Sequence, residues 1–203
     1  LTCIISVNVT PLNFIFLFLT MTNTREHIIE TALRLTEQQG WHALSLMDVA
    51  KACDLSLADV LEWFSDKTDL LVGYGRGLDL KTLSDIDKDD GSSPLKDRLF
   101  DVLMTRIDLV NENRGAALRI LKDVKCDPFS ALIVLPHLSH SMQIMLDAAG
   151  GQSKGVRGSM RVYGLALCYL NTLRVWFNDD SVDLSKTMAA LDKNLGYFEN
   201  VDN

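Results

Sequence analysis

The chain has 203 residues, 47% of them apolar and 23% charged, with a formal charge of -7 and a pI near 5.0. That length and apolar content allow a sizeable core in one or two small domains, and the acidic balance excludes a sequence-indifferent nucleic-acid binder, whose basic face would dominate the composition. Four cysteines, Cys3, Cys53, Cys126 and Cys168, lack CxxC or metal-ligand spacing, which favours reduced thiols in a cytoplasmic protein over disulfides or zinc.

Residues 1–23 stand apart from the rest of the chain. The run PLNFIFLFLT is apolar but too short to span a bilayer, and no Lys or Arg precedes it as a secretory signal requires. The preferred reading is upstream sequence ahead of a start at Met21; the alternative is a membrane-seeking arm. Beyond Met21, Val, Ile and Thr do not gather into alternating runs, whereas Leu, Ala, Met, Asp and Lys prevail, so an all-α fold is expected.

From Thr24 to Gln39, Ile28, Ile29, Ala32, Leu33 and Leu35 share one helical face, and Gly40 is placed to end the helix in the left-handed conformation. Arg25 is either a solvated first-turn charge or a phosphate contact. Residues 45–67, SLMDVAKACDLSLADVLEWFSDK, then read as two short helices around a tight turn. Each opens on a serine with an aspartate three residues later, Ser45 with Asp48 and Ser56 with Asp59, a pattern resembling the capping box. Leu46, Val49, Ala50, Ala52, Leu55, Val60, Leu61 and Phe64 supply a seam at helical spacing, and Asp54 tolerates the left-handed residue such a turn needs. The whole is a helix-turn-helix.

A further helix is expected from about Asp66, softened by Gly73, Gly75 and Gly77 at about 1 kcal/mol each relative to alanine. The polar segment 84–94 marks a domain boundary. Within residues 93–200, Ser93-Pro94 is read as the cap and first residue of a helix striped by Leu95, Leu99, Val102, Leu103, Ile107 and Val110. Arg114 to Lys125 makes a second helix, and the segment from Pro128 to Ala149 a third, in which Pro136 removes one hydrogen bond and is expected to produce a kink. Two last helices flank the acidic turn Asn178 to Asp183. Their Tyr163, Leu167, Leu170, Leu173, Trp176 and Phe177, with flat patches at Gly158, Gly164 and Ala166, suit either core packing or a homodimer interface.

Chemistry for catalysis is not legible. No nucleophile elbow, phosphate loop, HExxH or paired-carboxylate pattern occurs. His137 and His140 lie on one helix face without a carboxylate or Cys beside them, which favours a surface role over a metal site. No enzyme, cofactor, metal or catalytic residue is therefore expected.

The run from residue 24 to residue 71 resembles the N-terminal domain of TetR-type transcriptional regulators. The landmarks are Ala32 and Leu35, Gly40-Trp41, Ser45 with Asp48-Val49-Ala50, Ser56 and Ala58, then Phe64 and Lys67 leading into Leu70-Leu71. The resemblance implies an all-α, TetR-like protein with a three-helix head and connecting helix over 24–80 and a ligand-binding, dimerising body over 93–200. It implies a ligand-responsive regulator that binds a palindromic double-stranded operator as a homodimer. Ser45 and Lys67 would touch phosphates, with Arg25 and Ser56 beside them, while Leu57, Asp59 and Trp63 would lie near bases. A small apolar ligand would sit among Phe129, Met142, Met145, Tyr163 and Trp176.

Two departures weaken the DNA reading. The family typically offers Thr and Tyr, both phosphate ligands, where this chain has Asp59 and Leu61, and from Thr24 to Leu80 the bases Arg25, Arg34, Lys51, Lys67 and Arg76 are outnumbered by acids. Residues 160–195 also resemble the TetR-fold lipid-binding family of coenzyme Q biosynthesis, in a Tyr-rich apolar helix, a Trp, an Asp-Asp-Ser turn and the ending Thr187 to Asp192. That resemblance implies the alternative: a lipid-binding accessory protein that works at membranes and does not bind DNA.

Overall fold

The computed structural model describes the backbone of residues 11–86, 92–126 and 128–202 and the side chains of 24–86, 92–125 and 134–198. Among the described residues the chain forms nine helices and no strand. They are α1 (Pro11–Gln39), α2 (Leu46–Ala52), α3 (Leu57–Trp63), α4 (Lys67–Asp85), α5 (Leu95–Glu112), α6 (Arg114–Cys126), α7 (Pro128–Ala148), α8 (Gly155–Trp176) and α9 (Ser185–Asp202). The fold is all-α, as the composition requires.

Two apolar clusters organise the helices. The first holds Ile28, Ile29, Ala32, Leu33, Trp41, Leu44, Val49, Ala50, Val60, Phe64 and Leu70, and draws in Ala116 and Ile120 from α6. The second gathers the inner faces of α5, α7, α8 and α9 around Leu99, Leu103, Ile107, Met142, Met145, Leu165, Tyr169 and Trp176. Each fully buried side chain of this size contributes on the order of 2 kcal/mol. Tyr74 packs against both clusters, so α4 and α6 are the two elements shared between head and body.

Several boundaries differ from the sequence reading. Helix α1 starts at Pro11 instead of Thr24, and α5 starts at Leu95 with Pro94, which has no side chain able to cap, in the N-cap position. As expected, the segment from Pro128 forms one helix, α7, with Pro136 inside it. Gly73 is a packing requirement, because a Cβ there would lie 2.8 Å from the Phe64 ring and 2.9 Å from Arg25 Nη2. Gly75 and Gly77 face open space and are the soft positions of α4. The flat patches expected to receive another helix serve the chain itself: a Cβ on Gly158 would meet the Ser153 carbonyl carbon at 2.2 Å, one on Gly164 the Phe198 ring at 3.3 Å, and Ala166 is buried.

A buried polar network crosses the body. Arg106 Nε on α5 donates to Asp79 Oδ1 on α4 at 2.9 Å, its Nη1 donates to the Tyr169 hydroxyl on α8, and Ser141 Oγ on α7 donates to the other Asp79 oxygen. The guanidinium also lies 5.0 Å from the centre of the Tyr169 ring. Burial works against the charged arginine, but the Tyr169 and Asp79 partners outweigh it and raise its pKa, while burial pushes the Tyr169 phenol up. The network fixes α4 against three body helices, and removing one partner would leave an uncompensated buried charge. Tyr74 stands beside it with its phenol pushed up to about 12 by burial and by Tyr169. Its hydroxyl approaches Asn113 without completing a hydrogen bond of good geometry.

Candidate nucleic-acid interface

The helix-turn-helix is built from its caps inward. Ser45 Oγ accepts from Asp48 N at 3.2 Å and donates to Asp48 Oδ2 at 2.6 Å, and Ser45 N donates to the same oxygen at 3.2 Å. Ser56 and Asp59 repeat the arrangement one helix later at 3.1, 2.7 and 3.0 Å. Each serine satisfies an orphan donor at a helix start, a contribution of about 1 kcal/mol. Between the helices Asp54 adopts φ 56°, the left-handed residue of the turn, and Leu55 N returns to Ala50 O at 2.9 Å. Gly40 does the same service at the end of α1, with φ 87°. Val60, fully buried, and Phe64, 1% exposed, anchor α3 to the head core.

These contacts decide which atoms of α3 remain to meet a partner. Ala58, Asp59, Leu61 and Glu62 are exposed, whereas Leu57 and Trp63 are half-buried, Trp63 packing against the head cluster. The Asp59 carboxylate is exposed, and the hydroxyl and amide of Ser56 hold its pKa below the ordinary value, so it stays ionised. Of its two oxygens Oδ2 is taken by the cap. Trp63 thus serves the core first, and Leu57 presents only an edge.

The candidate phosphate ligands are tied to their own chain. Lys67 Nζ donates to Trp41 O at 2.9 Å and His42 O at 3.2 Å and lies 5.3 Å from the centre of the Trp41 ring. Arg25 lies 5.4 Å from the centre of the Phe64 ring, against Gly73. Both Ser45 and Ser56 are exposed, with their hydroxyls engaged in the caps. The turn from Gly40 to Ala43 is gripped from a second side, because His42 N donates to Asp123 Oδ2 of α6 at 2.8 Å. Asp123 lies 81 positions from His42, which is why no local signal marks it.

Residues 28–73 match the family model for bacterial regulatory proteins of the tetR family. The head is of the TetR type. Over 47 residues the chain is 45% identical to the HTH-type transcriptional regulator AcrR of Shigella flexneri, a match that spans 23% of this chain and 22% of that protein. The whole fold is TetR-like. A TetR transcriptional regulator from Nitrosomonas europaea superposes with a TM-score of 0.66 at 20% identity, covering 86% of this chain and 97% of that one. A TetR regulator from a Rhodococcus species gives 0.63 at 15% identity, over 88% and 97%, and one from Streptomyces coelicolor gives 0.58 at 16%, over 89% and 82%. At such identities the likeness is one of fold.

The expected ligand pocket is not assembled from the residues named for it. Met142, Met145 and Trp176 are fully buried within the body cluster, and Trp176 Nε1 donates to Asn111 Oδ1 at 3.1 Å. Tyr163 is 62% exposed, because the inner stripe of α8 is carried by Val162, Leu165, Ala166, Tyr169, Thr172 and Trp176 and Tyr163 points the other way. The Phe129 side chain lies outside the described residues. A niche of about 10 Å³, room for no more than about one water molecule, lies where the TetR-type head meets α4 and α6, lined by Ile29, Leu33, Trp41, Leu70, Leu71, Tyr74 and Ile120 among others. His137 and His140 are exposed, and no cluster of three or more potential metal ligands occurs among the described residues. Nor is any helix among the described residues long and apolar enough to cross a membrane.

Proposed function

We propose that this chain is a ligand-responsive, DNA-binding transcriptional regulator of TetR type, which works in the cytoplasm as a homodimer on a palindromic operator and binds its partners without transforming them. The observation that carries the reading is the doubly capped helix-turn-helix, whose α3 is braced by Val60 and Phe64 and leaves an exposed face of the size a major groove admits. Dimerisation is supported by the outer stripe of α8, where Val156, Met160, Tyr163, Leu167 and Leu170 recur at spacings of four and three and all are exposed. On the effector side, Met142 and Met145 are the adaptable members of the body core, and a small apolar ligand would be admitted by their repacking. Lys67 would reach phosphate by leaving the Trp41 and His42 carbonyls, so its contact would couple the grip on that turn to operator binding.

The test is binding of the protein to DNA from its own upstream region across salt concentration. With Arg25 and Lys67 as the phosphate cations of each head, a dimer neutralises about four phosphates, and the log–log slope of affinity against salt is expected to be about -4. A folded dimer that binds no DNA at low salt, with effectors removed, would defeat the proposal.

A further inference from the structure

The exposed residues of α3 differ in whether they are already engaged within the chain. Ala58, Leu61 and Glu62 are exposed together, and their spacings of three and four put them on one contiguous face. Leu61 is 45% exposed although it is a large apolar side chain, and Ala58 lies one turn before it, so the two make an apolar spot. Glu62 has no hydrogen bond or ion pair with any group among the described residues. Asp59, by contrast, accepts at Oδ2 from Ser56 N and Ser56 Oγ at 3.0 and 2.7 Å, and turning it toward a base would cost α3 the carboxylate half of its capping box.

We infer that Leu61 and Glu62 are the specificity-determining residues of this head: Leu61 selects a thymine through its C5-methyl group, and Glu62 selects cytosine at a neighbouring base pair by accepting from its N4 amino group. A carboxylate near phosphate is repelled, but in the major groove cytosine alone offers a lone amino donor with no competing acceptor at that edge, and thymine alone offers a methyl. The acids of α3 therefore have a use that the phosphate backbone denies them. The inference rests on the DNA-binding reading above.

The experiment is selection of binding sites from random duplex DNA by the full chain and by its Leu61→Ala and Glu62→Gln variants, with the fold and oligomeric state of each checked. The unaltered chain is expected to select a half-site containing a thymine and a cytosine at neighbouring base pairs. Glu62→Gln is expected to shift the cytosine position toward adenine, which glutamine recognises at N6 and N7, by on the order of tenfold. Replacing the thymine by deoxyuridine removes only the methyl group, and it should weaken the unaltered chain about fivefold while leaving Leu61→Ala unaffected. The deoxyuridine comparison needs no variant to fold. If the unaltered chain selects a motif that both variants reproduce, or if deoxyuridine costs it nothing, the inference is wrong while the regulator reading stands. If the folded, unaltered chain selects no sequence at all, both fall together.

Discussion

Asp179 is the most heavily satisfied carboxylate in the described chain. It lies in the turn between α8 and α9, 1% exposed, and accepts from the amide and hydroxyl of Ser181 and from the amide and hydroxyl of Thr187, the last two at 2.8 and 2.7 Å. Burial tends to raise its pKa, but these four donors prevail and hold it well below the ordinary carboxylate value. A depressed folded-state pKa means that the stabilisation is fully present above the unfolded value of 3.8 and is lost as pH falls from there through the folded value. Asp179→Asn is expected to cost about 1–3 kcal/mol at neutral pH, since an amide cannot accept from all four donors, and to flatten the fall in stability below about pH 4. Thermal unfolding of both proteins at pH 7 and pH 3 measures this, and parallel losses would show that Asp179 is not responsible.

The same residue shows what a sequence conceals. An acidic turn at Asn178 to Asp183 is plain from composition, but nothing local reveals that Asp179 reaches forward to cap α9 or that Asp79, Arg106, Ser141 and Tyr169 meet. Those four come from separate helices, with Asp79 and Arg106 27 positions apart and Arg106 and Tyr169 63 apart. Buried polar contacts of that kind are set by how helices pack, and periodicity carries no information about them. For the same reason nothing local shows that Lys67, which the resemblance assigns to a phosphate, is held by two carbonyls of an earlier turn.

At the scale of elements, the signals that succeeded are those whose physics is confined to a few neighbours. Both Ser-x-x-Asp caps form as their spacing predicts, Gly40 takes positive φ, and Asp54 takes the left-handed place in the turn. Signals depending on the far side of a helix failed: Tyr163 belongs to the outer face of α8, and Trp63 turns toward the head core. Asp54 makes the turn testable. Glycine has no Cβ to strain at φ 56°, so Asp54→Gly should leave the melting temperature unchanged or slightly higher. Valine is penalised twice in that region, and Asp54→Val should destabilise the protein by about 1–2 kcal/mol. Equal stability of the two variants would mean that the turn relaxes out of the left-handed conformation.

At the scale of the molecule, α6 joins the two ends of the design. Near its start Arg114 Nη2 donates to Asp179 O at 2.8 Å and Trp176 O at 3.2 Å, with the guanidinium 4.6 Å from the centre of the Trp176 ring, and near its end Asp123 receives His42 N of the head. The junction of α8 and α9 is thereby connected to the turn that precedes α2 through one rigid helix. On the other side of α8, the exposed apolar stripe from Val156 to Leu170 has the spacing of a helix-pairing face. If two copies pair through this stripe as proposed, introducing charge there by Met160→Glu with Leu167→Glu, both about two-thirds exposed, should leave the fold intact while converting the dimer to a monomer. An operator held through two half-sites would then be held through one, with a loss of about a hundredfold or more in affinity. Sedimentation and operator titration on the same preparation read the two effects together. Monomers that keep full affinity would show that one head suffices, and dimers that persist would move the interface off α8.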